Sequence, residues 1–313
     1  MKHLHLLLVA AVLCPSVGCE FMKEHWNKTP NKDKGAGPLP QVTDRQLVGY
    51  LNDRADRLQS LTDADVRVTA QDRSTLVPTP PVTLRGELFA SQPRNFKLTG
   101  TGGAIDIKMF MGSNDQQFWV YAKMPTLDPM YVYASHTDFN DGRAKIPGGI
   151  PFEPEWVMQA LGMAHFPPNT QYTAKTDDRT RTYHLTWTAV TPTGAVVKEV
   201  VFDGDPATGN RPQVKKHVIR DTRGKLLCSA EIKEAKTVPS GLSDPKTGAP
   251  LAVQYPTGVL MRWEEQKFEM KLDVLNAKIN QQLTQEEFRR HFSRPNVSGV
   301  TPIDLARYEA PIR

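Results

Sequence analysis

The feature that most limits what this chain can become is a repeated one. From residue 63 to residue 135, short runs follow one another with little but Pro, Gly, Asn or Asp between them: "DADVRVTAQD", "VTLRGELFA", "RNFKLTGT", "AIDIKMFMG", "QQFWVYAK" and "PMYVYAS". A parallel pair of strands needs a crossover of a dozen or more residues, and these gaps leave no room for one. The runs therefore pair antiparallel, as a meander. In "AIDIKMFMG", Ile105, Ile107, Met109 and Met111 share one side, and Asp106 and Lys108 take the other. The pattern resumes with "TQYTAKTD", "TRTYHLTWTAV", "GAVVKEVVFD", "QVKKHVIRD" and "GKLLCSAEIKEA". After a Pro/Gly-rich loop, "SGLSDPKTGAP", it ends with "TGVLMRWEE" and "KFEMKLDVL". The expected fold is mainly β: one large antiparallel sheet of about 11–12 strands, read from turn spacing. A strongly twisted sheet of that size curls, and one face must be filled.

The helical segments are the available fillers. "TDRQLVGYLNDRADRLQSL" opens with a capping box, Thr43 and Gln46. Leu47, Leu51, Arg54/Ala55, Leu58 and Leu61 recur at three- and four-residue spacing, which makes one stripe apolar. "PGGIPFEPEWVMQALGM" holds a second, short helix, started by Pro154 and ended by Gly162, with Trp156, Val157, Ala160 and Leu161 on its apolar side. A third follows the capping box of Thr284 and Glu287, with Phe288 and Phe292 behind it. No internal repeat and no linker interrupts residues 42–313, so we expect one domain.

The N-terminus is of a different kind. Lys2 precedes an apolar run, Leu4 to Leu13. That run is too short for a bilayer span, which needs about 20 residues, and fits a secretory signal over residues 1–18. Its end, Val17-Gly18-Cys19, resembles a bacterial lipoprotein signal, with Ser16 where Leu is commonest. The resemblance implies that Cys19 becomes the first mature residue and carries the acyl chains, palmitate among them. They would anchor the protein to a membrane of the cell envelope, facing the periplasm. The alternative is an ordinary cleaved signal with an incidental cysteine. Residues 19–41 are polar and broken by Pro and Gly, and cannot bury enough surface to fold. As a tether, about twenty flexible residues span roughly 25 Å root-mean-square.

Composition narrows the function classes. The net charge of +5 is mild for 313 residues and its lysines and arginines are scattered, so no nucleic-acid footprint is present. Cys228 is the one cysteine of the folded region and reads as a small buried hydrophobe. There is no G-x-S-x-G elbow, no H-E-x-x-H and no cysteine pair at metal spacing. His136 with Asp138 and Asp141 is the nearest approach to a metal cluster, but "ASHTDFNDG" has the composition of an ordinary turn. His184 and His217 fall within strands. We therefore expect no enzyme activity, no cofactor and no metal.

The order of elements resembles the LolA/LolB/LppX family of periplasmic lipoprotein carriers and lipid-binding lipoproteins. The segments that carry the resemblance are "LNDRADRLQSLTDADVRVT", "GELFASQPRNFKLTG" leading into "SNDQQFWVYAK", "KEVVFD…HVIRDTRGK" and "VLMRWEEQKFEMKLDVLNAKIN". "PFEPEWVMQALGM" has no counterpart there, which marks a divergent branch. The resemblance implies an unclosed β-barrel with a helix on its concave face, and a lipid, acyl chain or lipoprotein as ligand of a monomer. Candidate residues for the cavity and its lid are Leu47, Leu51, Leu58, Met109, Met111, Phe118, Met130, Trp156, Met158, Trp187, Met261 and Trp263. Thioethers adapt to irregular apolar shapes, yet the same residues would equally fill a core. The competing reading is thus a structural or assembly lipoprotein whose barrel is packed and whose outer face binds another envelope protein.

Overall fold

The computed structural model describes residues 37–74, 80–103, 106–125, 127–144, 154–191, 194–204 and 212–308. Cys19 and most of the expected tether lie outside them. Contacts divide the chain at Pro40, and the larger unit is Gln41–Arg313.

Strands β1 (Ser60–Asp72), β2 (Val82–Ser91), β3 (Asn95–Gly102), β4 (Ile107–Ser113), β5 (Gln117–Met124) and β6 (Leu127–Ser135) form one meander. A second comprises β7 (Thr173–Asp177), β8 (Thr182–Thr191), β9 (Gly194–Asp203), β10 (Gln213–Asp221), β11 (Leu226–Ser243), β12 (Pro250–Trp263) and β13 (Phe268–Val274). They join where β1 pairs with β13, giving a sheet whose path runs β6-β5-β4-β3-β2-β1-β13-β12-β11-β10-β9-β8-β7. Its two ends do not meet, so the barrel is unclosed, as expected. The described strands number fifteen, more than the sequence suggested, in part because two-residue pieces, β14 (Lys278–Ile279) and β15 (Ile303–Asp304), add themselves to β1 and β6. The β15–β6 pair is parallel; every other described pair is antiparallel.

This order explains the helices. β6 and β7 are at opposite ends of the path, so the chain between them must travel across the sheet. It carries α2 (His136–Asn140) and α3 (Pro154–Ala160) with it. α1 (Asp44–Arg57) precedes β1, and its capping box between Thr43 and Gln46 is formed. The helix stops at Arg57, one residue before Leu58, which caps it; Leu61, expected on the helix stripe, is already in β1. α4 (Gln285–Phe292) carries the expected box between Thr284 and Glu287.

Register assigns the two sheet faces. The inner set includes Val66, Leu84, Leu98, Met111, Val120 and Val132 on one side of β1, and Leu272, Val259, Ile232 and Ala230 on the other. One contiguous apolar cluster contains Phe118 and Ala134 from β5 and β6, Val196 and Ile219 from β9 and β10, and Trp156, Met158 and Leu161 from the α3 region. Strands so far apart in the order share a cluster because the sheet curls around the crossing segment. The outer face is polar over the second meander, with pairs such as Arg262–Glu269 and Arg67–Asp273. Over β4–β6 it is aromatic instead. Trp119, Tyr121 and Tyr131 are buried there under Val297 and Val300. Gly112 is where the Trp119 indole lies down: a Cβ would stand 2.6 Å from the ring.

Candidate functional site on the inner face

The twelve residues singled out from sequence divide by environment. Leu47, Leu51, Leu58, Phe118, Trp156, Met158, Met261 and Trp263 are buried, each at 4% exposure or less. Leu58, Phe118 and Met158 are at 0%, so no water-sized space adjoins them. Trp156 meets Trp263 edge to face at 5.6 Å, which pins α3 to β12. Trp187 is half-buried and sits within 5.5 Å of both Phe166 and Tyr172. Cys228 is buried in the main cluster, as expected.

The methionines at the other end behave differently. Met109 and Met111 on β4 are half-buried and pack against the main cluster from its margin, as do Ile107 and Val120. Met130 on β6 lies opposite Ala122 and is 37% exposed. Register places Ile107, Met109, Met111, Val120, Ala122 and Met130 on one inner-face floor. The inner face is therefore filled beneath α1 and α3 and grades into a partly exposed, methionine-rich floor over β4–β6.

Two buried polar sites interrupt this apolar surface. At the β4–β6 end, His136 is 6% exposed. Its Nε2 is 2.8 Å from the Asn114 carbonyl oxygen and 3.3 Å from Ser113 Oγ, and its Nδ1 is 4.0 Å from Glu155 Oε1. A carbonyl oxygen only accepts, so Nε2 carries the proton and donates it to Asn114. In that tautomer the ring cannot take a proton from Ser113, and Ser113 is wholly buried. A serine, a histidine and a carboxylate thus stand in line without forming a nucleophilic triad. Asp138 and Asp141, grouped with His136 as a conceivable metal cluster, both pair with Arg143 instead, at 2.8 and 2.9 Å. No group of three or more metal-ligating side chains occurs among the described residues.

The second polar site was not foreseen. Arg54, in the last turn of α1, points into the protein and is 7% exposed. Its Nε and Nη2 have no hydrogen-bond partner. His217, on β10 between the register positions of Val200 and Ala230, is 3% exposed, and both its ring nitrogens are unpartnered. Burial, and then the nearby Arg54 charge, push its pKa down to about 3, so the ring is neutral. Burial also lowers the Arg54 pKa from its usual value, but a guanidinium stays protonated. Gly162, just past α3, makes the arrangement possible. Its φ is +78°, and a Cβ there would lie 1.8 Å from Arg54 Nη2 and 2.3 Å from Nε. The Gly162 turn thus closes over the Nε–Nη2 edge. The sequence held one signal for this site: Arg54 occupies a position of the leucine stripe, where a charge is out of place.

No helix among the described residues is long and apolar enough to cross a membrane. No protein-family model matches the chain, and no curated protein matches it. Solved structures do. A LolA superfamily protein from Nitrosomonas europaea is 14% identical, covering 79% of this chain and 98% of its own, with a TM-score of 0.44. A domain described as that of an outer membrane lipoprotein-sorting protein, from Vibrio parahaemolyticus, is 10% identical over 78% of this chain and 96% of its own, TM-score 0.46. A DUF1329 family protein from Desulfovibrio piger is 11% identical over 78% and 95%, TM-score 0.47.

Proposed function

We propose that this protein is a non-catalytic envelope lipoprotein, anchored through acylated Cys19, that holds a lipid, an acyl chain or the lipid moiety of a lipoprotein on its inner face. The observation that carries the reading is the graded inner face. Met109, Met111 and Met130 are left partly exposed on a floor continuous with the core. An acyl chain laid there gains about 0.8 kcal/mol per buried CH₂. Flexible thioethers accept chains of differing shape.

A second reading has its own support. Leu58, Phe118 and Met158 have no exposed surface at all, which suits a packed structural lipoprotein that binds an envelope partner with its outer face. One experiment separates the two. Protein purified from its own cells is extracted with organic solvent and the extract weighed by mass spectrometry. A stoichiometric lipid beyond the Cys19 acyl chains supports the carrier. A clean extract, joined to failure of the neutral apolar probe N-phenyl-1-naphthylamine to bind, supports the packed alternative. Protein recovered wholly in the soluble fraction would defeat the anchor.

A further inference from the structure

Arg54 presents a problem that the chain does not solve by itself. Burying a guanidinium is costly unless the charge is paired and hydrogen-bonded. Among the described residues no carboxylate pairs with Arg54, and its Nε–H and Nη2–H lack acceptors. Those two groups lie on the same edge of the guanidinium, the edge that takes a carboxylate or a phosphate through two parallel hydrogen bonds. His217, neutral and also unpartnered, offers one N–H donor within the field of the Arg54 charge. Buried apolar residues stand next to both in the chain, Leu161 and Met163 on either side of Gly162 at 1% and 0% exposure and Leu51 and Ala55 on α1 at 4% and 0%; the Tyr50 phenol, one turn back on α1, is the polar group whose field reaches Arg54.

From this geometry we propose that Arg54 and His217 form a head-group site for an anionic amphiphile, a carboxylate or phosphate carried on an acyl chain. The proposal rests on the lipid-binding reading above and adds the charge of the ligand. The head group engages the Nε–Nη2 edge when the Gly162 turn moves off it, and the chain lies along the inner face toward Met109 and Met130. The turn covers the guanidinium without offering Nε or Nη2 an acceptor; Gly162 N–H donates to the Gln159 carbonyl and Met163 N–H to the Met158 carbonyl, both at 2.9 Å, so engaging the head group requires the turn to give up these bonds.

The test uses the full chain loaded with N-phenyl-1-naphthylamine, then titrated with palmitate, with hexadecanol of the same chain length, and with dipalmitoyl phosphatidate. In the wild type, palmitate should displace the probe at a concentration about tenfold below hexadecanol, as one charge-assisted pair implies. Arg54→Met should remove that difference by weakening palmitate and leaving hexadecanol unchanged. His217→Phe should weaken palmitate less than Arg54→Met does. If phosphatidate outcompetes palmitate, the head group is a lipid phosphate; the opposite order assigns a free fatty acid. Equal displacement by palmitate and hexadecanol in the wild type would overturn the head-group site while the lipid reading stands, and would mean that Arg54 and His217 are satisfied by enclosed water only. Should the probe not bind the wild type, the lipid reading falls and this proposal with it. The wild-type comparison needs no variant to fold.

Discussion

His136 and His217 lie on opposite halves of the same inner face, both buried, at 6% and 3% exposure. The chain treats them in opposite ways. His136 donates to the Asn114 carbonyl at 2.8 Å and has Ser113 and Glu155 within 3.3 and 4.0 Å. His217 has no partner on either nitrogen and lies within the field of an arginine equally unprovided. A buried polar group that is bonded contributes to stability; one that is not costs about 1–3 kcal/mol. The first site therefore reads as architecture, closing the end of the sheet where α2 begins. The second costs the empty protein stability, and a buried guanidinium and imidazole without hydrogen-bond acceptors or donors are the mark of a site for something else.

The sharpest way to break this contrast is pH. The His217 pKa stands at about 3 in the folded protein, by burial first and the Arg54 charge second, against 6.5 for an ordinary histidine. Below pH 6.5 the unfolded chain takes up a proton that the folded chain refuses, so stability falls as the pH drops toward 3. The slope approaches 1.4 kcal/mol per pH unit, which accumulates to about 3 kcal/mol between pH 6.5 and 4. Denaturant melts across that range should show the loss in the wild type and lose this component in His217→Leu. A histidine variant with an unchanged pH slope would mean that His217 finds a partner in solution.

Next in size is His136→Leu. It leaves the Asn114 carbonyl without its donor and Ser113 without a neighbour, at a cost of about 2–3 kcal/mol. Its counterpart, Arg54→Met, should run the other way. It keeps the buried alkyl length and removes the uncompensated charge, so the empty protein should gain about 1–2 kcal/mol. Melting temperatures of the two variants, measured after delipidation, check the pair. If both destabilise alike, the two sites do not differ in kind.

How much of this was legible in the sequence follows from which physics each feature obeys. Alternation in "KFEMKLDVL" and "AIDIKMFMG" places side chains by period two, and β13 and β4 carry them as read. The capping boxes at Thr43 and Thr284 are local chemistry and are both formed. The β11–β12 hairpin was under-read. Pro239, Gly241 and Pro250 look like breakers, yet Pro239 pairs with Ala252 and Pro250 with Ser243, on either side of a register shift that absorbs the irregularity. Register turns Trp119 outward, under a C-terminal segment whose return no local pattern announces. The Arg54–His217 site joins residues far apart in the chain, through a glycine whose importance lies in the Cβ it lacks. Only the misplaced charge in the leucine stripe pointed toward it.

The smallest expected effect tests the satisfied site from within. Ser113 Oγ is 3.3 Å from His136 Nε2 and 3.5 Å from the Asn114 carbonyl oxygen, while the His136–Asn114 bond is 2.8 Å. The short bond fixes the ring, and the hydroxyl only leans on it. Ser113→Ala removes two long hydrogen bonds and leaves no strong donor or acceptor stranded, so it should cost less than about 1 kcal/mol. Binding of N-phenyl-1-naphthylamine should not change, because the hydroxyl lies outside the methionine floor. A loss as large as that of His136→Leu would show that His136 depends on the serine, which requires the other tautomer. Nε2 would then accept from Ser113, the Asn114 carbonyl would be left unbonded, and the line from Ser113 through His136 to Glu155 would have the proton arrangement of a nucleophilic site after all.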